Sequence, residues 1–155
     1  MMKSQDILDA IGFDASVKEK LMSAYQQHSN NPRMMDRTFE AILADVDWHW
    51  PELERYPDTL SVMDMTPAIL LGFEMLRNDA LDRRKEQWLR VTRTRPYAIV
   101  KTVGDKPDFP ECKAMHNMVV TVDDISTPVF PPHRLGCRCH FLCGTEKQLD
   151  KLVGK

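Results

Sequence analysis

Pro131-Pro132-His133-Arg134-Leu135-Gly136-Cys137-Arg138-Cys139-His140 holds the densest chemistry in this 155-residue chain. All four cysteines and three of the five histidines fall between Cys112 and Cys143. They are spaced as Cys112-x3-His116, then, after sixteen residues, as His133-x3-Cys137-x-Cys139-His140-x2-Cys143. Thiols and imidazoles this close together, beside proline and glycine, point to a small fold pinned by a metal ion or a disulfide. Zinc takes four such ligands in a tetrahedron, and the region offers seven. The expected set is Cys112, His133, Cys137 and Cys139, with His116 and Cys143 as alternates, Cys143 serving if His133 points away. A C-x2-C knuckle is lacking, and C-x-C is harder to use because residues two apart on a strand crowd one another. A disulfide from Cys112 to Cys137 or Cys139 and a set of buried reduced thiols both stay open.

Outward from this stretch, the sequence after Pro96 is β-prone. Tyr97 to Val103 and Met118 to Val122 are rich in β-branched residues and predict two strands, with Arg138 to Leu142 as a short third. Gly104 to Pro110 and Asp123 to Pro132 read as loops, and Thr145 is placed to cap a short C-terminal helix.

The sequence before Pro96 is helical. Ser4 is placed to cap a helix through Ile7, Leu8 and Ile11 that Gly12 closes, and Asp14 to cap the next, with Val17, Leu21, Ala24 and Tyr25 on one face. Ser29-Asn30-Asn31-Pro32 stops that helix and starts a third, with Met35, Phe39, Ile42, Leu43 and Val46 aligned. These three predict a small antiparallel bundle. A long helix is predicted from Pro67 to about Thr94, through Ile69, Phe73, Leu76, Ala80, Leu81, Trp88 and Leu89, with Pro96 ending it. Trp48-His49-Trp50-Pro51 reads either as a binding site or, more plainly, as aromatics sealing one helix onto another.

The net charge of −2 argues against general affinity for nucleic acid or membranes. It conceals a basic stretch: residues 83–101 hold seven basic side chains against Glu86 alone. Arg83, Arg84, Lys85, Arg90, Arg93 and Arg95 are either a solvated helix face or a contact surface for an acidic partner or DNA phosphates. No apolar run approaches the ~20 residues that span a bilayer. An acidic residue stands where a signal peptide would begin its apolar core, so a cytoplasmic location is expected. That compartment favours metal or reduced thiols over a disulfide, a particle that leaves the cell being the exception. Cys137 and His116 provide a nucleophile and base on paper. No phosphate loop, Gly-x-Ser-x-Gly, His-Glu-x-x-His or deaminase pattern accompanies them, and no enzyme is expected.

Cys112-Lys-Ala-Met-His116-Asn-Met-Val-Val, Asp123-Asp124, Pro131-Pro132-His133 and Gly136-Cys137-Arg138-Cys139 together resemble the C-terminal part of the Mu F-like phage head morphogenesis proteins. The similar region covers roughly residues 93–142. In that family a Cys-x-x-Cys leads into a hairpin, followed by a Pro-Pro-x-His-Pro-x-Cys-Arg-Cys-like run. The resemblance implies a minor capsid protein, and carries Cys112 onto the second early cysteine and Cys137 and Cys139 onto the Cys-Arg-Cys pair. The chain departs from the pattern at Phe109, where the first early cysteine would stand, and at Arg134, where the histidine would stand. His133, His116 or Cys143 must then complete a four-ligand site.

The expected architecture is α+β: a helical region over 1–95 with one long helix, then a Cys/His-stapled β module over 96–155. The expected function is that of a virion structural protein made in the host cytoplasm. It would act in head morphogenesis or at the portal vertex within an oligomeric assembly, touching capsid or portal proteins or DNA through residues 83–101. The alternatives are a small phage-borne enzyme or toxin using the Cys/His cluster, and a zinc-stabilised binding adaptor.

Overall fold

The computed structural model describes residues 3–105 and 107–154; Lys106, within the predicted loop, lies outside them. The chain is mixed α+β and forms two compact units, residues 3–79 and 80–154.

The first unit is built from helices α1 (Ser4–Ile11), α2 (Ala15–His28) and α3 (Pro32–Leu43), two short helices α4 (Pro51–Arg55) and α5 (Thr59–Met63), and the first half of α6 (Pro67–Leu89). The predicted punctuation holds at most ends. Gly12 closes α1 at φ 86°, its N–H donating to Leu8 O. The Asp14 carboxylate accepts Val17 N–H at 2.9 Å, and Asn31 caps α3 ahead of Pro32. Ser4 is not the cap of α1. Lys3 holds that place, with its N–H donating to Asp6, while Ser4 N–H is taken by Asp79 at 3.2 Å. The same Asp79 carboxylate accepts the Tyr25 hydroxyl at 2.6 Å. One side chain on α6 therefore ties down both α1 and α2. Leu8, Leu21, Met35, Phe39, Leu70, Leu71 and Met75 are fully buried. Gly72 on α6 faces α3, where an added Cβ would come within 2.9 Å of the flexible Met35 Cε and in ordinary contact with the Phe39 ring.

The second unit begins inside α6, at Ala80 rather than at residue 96. The reason is packing: Leu81 and Trp88 on α6 share a core with Ala98, Val120, Phe130 and Phe141. Trp88 stacks on Phe130 with ring centroids 6.0 Å apart, and Phe130 meets Phe141 at 4.7 Å. The helix ends at Leu89, five residues before the predicted Thr94. Thr92 and Thr94 turn their hydroxyls onto the carbonyls of Leu89 and Val91, local bonds that compete with helix continuation. The Trp88 indole then donates to Arg95 O at 2.8 Å and folds the chain back.

Strands β1 (Tyr97–Lys101), β2 (Val119–Val120) and β3 (His140–Gly144) form an antiparallel sheet in the order β2-β1-β3. The second strand is shorter than predicted. Asn117 before it stands at φ 67°, and Thr121 after it enters a 3₁₀ turn whose Asp124 carboxylate accepts Thr121 N–H at 2.9 Å. The third lies two residues later than predicted, because Cys137 and Cys139 are held in the loop ahead of it. Between β1 and β2 sits a short helix, α7 (Pro110–Ala114), that the sequence reading did not anticipate. The chain closes with a 3₁₀ turn at Glu146–Gln148, begun at Thr145, and α8 (Leu149–Val153). Among the described residues no helix is long and apolar enough to cross a membrane.

Candidate metal centre

Three short segments of the second unit deliver one set of ligands. Cys112 comes from α7, which Pro110 starts at its first position. His133 and Cys137 come from a turn in which Cys137 N–H donates to Arg134 O at 3.1 Å and Gly136 takes φ 83°. Cys139 comes from the residue before β3. One ligand atom from each of Cys112, His133, Cys137 and Cys139 lies within 4.8 Å of the others, and all three cysteines are buried. None of the four cysteines forms a disulfide.

The separations suit a tetrahedral ion. Zn–S near 2.3 Å and Zn–N near 2.05 Å require an S···N edge of about 3.6 Å. Cys137 Sγ stands 3.6 Å from His133 Nδ1. The histidine is also correctly prepared. Its Nε2 lies 2.8 Å from Val129 O, so Nε2 carries the proton and donates it, leaving the Nδ1 lone pair facing the thiols. Such a carbonyl partner fixes the tautomer of a metal-binding histidine. Val129 itself packs against the apolar core, so the core supplies the group that orients the ligand. Hydrogen bonding with Cys112 and Cys137, then burial, pushes the Cys139 thiol far above its ordinary pKa. Three crowded thiols resist ionising beside one another, and a cation among them reverses that preference.

Two arginines clamp the loops that carry these ligands. Arg138, between Cys137 and Cys139, makes paired bonds to Asp105 and reaches the buried Asp108 at 3.3 Å. Asp108 also accepts Gly104 N–H. The Arg138 bond holds the Asp105 carboxyl below the usual range. Arg134 lies 3.6 Å above the Phe109 ring and pairs with Glu111 at 3.4 Å. The two arginines thus bind the 131–139 loop to the 104–112 segment.

The alternates stand elsewhere. His116 Nδ1 accepts Thr102 N–H at 3.1 Å. Cys143, opposite Ala98 on β3, packs against the core, and burial raises its thiol pKa. The six basic residues do not form one helical face. Arg83, Arg84 and Lys85 are on α6, while Arg90, Arg93 and Arg95 follow its end. Arg84 donates to Phe141 O at 3.0 Å, and Lys85 reaches Ile125 O at 3.4 Å over the Phe130 ring. Burial lowers the Lys85 pKa against the opposing pull of Asp82. Arg83, Arg90, Arg93 and Arg95 are exposed.

In the first unit, Trp48 lies 5.3 Å from Phe13 and 6.2 Å from Trp50. Trp48 and Trp50, with His49 between them, border an open concavity of about 390 Å³. The roles of Arg134, Arg138 and Asp108 were missed in the sequence. An arginine between two cysteines was a visible signal, but its partners lie some thirty residues away.

Comparison of the chain with known protein families, with curated proteins and with solved structures finds no match in any of the three.

Proposed function

We propose that the chain is a structural protein of a tailed-phage head, acting in head morphogenesis or at the portal vertex, with its second unit stapled by zinc. The observation that carries the metal assignment is the convergence of Cys112, His133, Cys137 and Cys139, with the histidine tautomer already set. Cys₃His is a zinc donor set, and four protein ligands leave no position for water or substrate, which favours a structural over a catalytic role. The virion assignment is supported by the resemblance of the Pro131 to Cys139 run and of Cys112 to the Mu F-like proteins. Three of the four converging ligands are those the resemblance carries over.

Two measurements test the two halves separately. Purified full-length protein is expected to hold about one equivalent of zinc, with thiols shielded from labelling until a chelator is added. Four immediately reactive thiols and no metal overturn the staple. Mass spectrometry of purified particles of the encoding phage is expected to find the chain at defined copy number. Its absence from assembled heads and their precursors overturns the virion reading.

A further inference from the structure

The end of β1 carries a second polar cluster, and the metal centre does not use it. Lys101 exposes only 6% of its surface. Its ammonium donates to one neutral acceptor, Asn117 Oδ1, which leaves two of its three N–H groups without a protein acceptor among the described residues. The carboxylates of the following loop are committed elsewhere, Asp105 and Asp108 to Arg138 and Glu111 to Arg134. Burial without a counter-charge accordingly lowers the Lys101 pKa.

The surroundings are donors as well. Asn117 is fixed at φ 67° by its N–H bond to Val100 O at 2.8 Å. With its Oδ1 used by Lys101, its amide N–H₂ remains. His116 accepts Thr102 N–H on Nδ1, so its neutral ring carries a proton on Nε2. His140 is the register partner of Lys101 across the sheet, an opposition of basic groups that weakens a strand pair unless something neutralises it. A buried cation ringed by unspent donors is the arrangement that takes up an anion with several acceptor oxygens.

We infer that Lys101, Asn117, His116 and His140 form a receptor for a phosphate group. The buried ammonium with two open N–H groups would be its centre, and the imidazoles and the Asn117 amide its walls. A tetrahedral phosphate offers acceptors on several sides, which a planar carboxylate does not. The phosphate comes either from a nucleic-acid backbone or from a small phosphorylated molecule. This inference stands apart from the zinc staple and from the virion reading.

The test titrates the ¹⁵N-labelled full chain at constant ionic strength with inorganic phosphate, with a short DNA duplex and with acetate, following the Thr102 backbone and Asn117 side-chain amides. Saturable shifts with phosphate or DNA, and none with acetate, are expected. Binding of the duplex about tenfold tighter than phosphate identifies the backbone as the source, and phosphate binding alone identifies a small molecule. Lys101→Met, which keeps the stem and removes the charge, is expected to weaken binding at least about tenfold. Asn117→Gly suits the left-handed backbone, so it keeps the fold while deleting the amide, and is expected to weaken binding about fivefold. Equal shifts with acetate, no saturable shift, or unchanged affinity in both variants overturns the inference.

Discussion

The two units of this chain solve the stability problem differently. Residues 3–79 rely on an apolar interior drawn from α1, α2, α3 and α6, with Asp79 as a polar tie. Residues 80–154 have a smaller cluster around Trp88, Phe130 and Phe141, and hold their remaining loops with thiols, an imidazole and two arginine clamps. The loops of the second unit contain little regular structure to order them. A few residues there must fix long irregular segments, which is the situation in which small folds turn to a metal. Continuous helices let burial do that work; irregular segments need bonds with direction.

The sharpest way to break this contrast is to chelate the zinc proposed for the second unit. Structural zinc contributes on the order of 10 kcal/mol to the folding of small metal-dependent units. Chelation is expected to collapse the indole N–H signal of Trp88 in a ¹H–¹⁵N spectrum while those of Trp48 and Trp50 persist, and Cys137→Ser should do the same without chelator. Loss of all three signals together would show that the units do not differ as described. The converse probe is Phe39→Ala. Phe39 is fully buried in the first unit, and truncating such a ring costs about 3–5 kcal/mol. Zinc content and the Trp88 signal should be unchanged while the first unit melts earlier, as read by urea unfolding. A smaller effect is expected from Arg138→Gln, which leaves the buried Asp108 without its guanidinium and releases the loop holding Cys137 and Cys139. Zinc affinity should fall about 10- to 100-fold, as for other groups that orient metal ligands, measured by competition with a chromophoric chelator.

The contrast also explains what was legible in the sequence. Helix starts and stops such as Asp14, Asn31 and Gly12 are local signals, so α1, α2, α3 and the start of α6 could be read, while the short α4 and α5 could not. The α+β class was legible from the switch in patterning after Pro96, and the grouping of Cys112, His133, Cys137 and Cys139 because metal chemistry restricts which residue types can serve. The end of α6 was not, because Pro96 marks only where a helix must have stopped, and the Trp88–Arg95 bond that stops it sooner is tertiary. The partners of the clamps were hidden for the same reason, lying 23 to 33 residues away in sequence. The Phe109–Arg134 contact is of the same kind, joining two residues that nothing in the local sequence pairs.

The smallest expected effect concerns Lys101, where the second unit buries a charge with no carboxylate partner among the described residues. Its pKa is lowered from 10.5 by burial, so the unfolded chain binds this proton more tightly than the folded one. Stability therefore rises with pH between the lowered folded pKa and 10.5, and below that interval the buried charge is a standing cost. Lys101→Met removes the cost. At neutral pH and without phosphate it should raise the melting midpoint, as read by thermal unfolding. The gain should shrink as pH rises through this interval and vanish well above 10.5, where wild-type lysine is neutral in both states. A variant less stable than wild type at pH 7 would mean that the Asn117 bond outweighs desolvation. Added phosphate should reverse the order of the two proteins, because only the wild type has a cation with which to bind it.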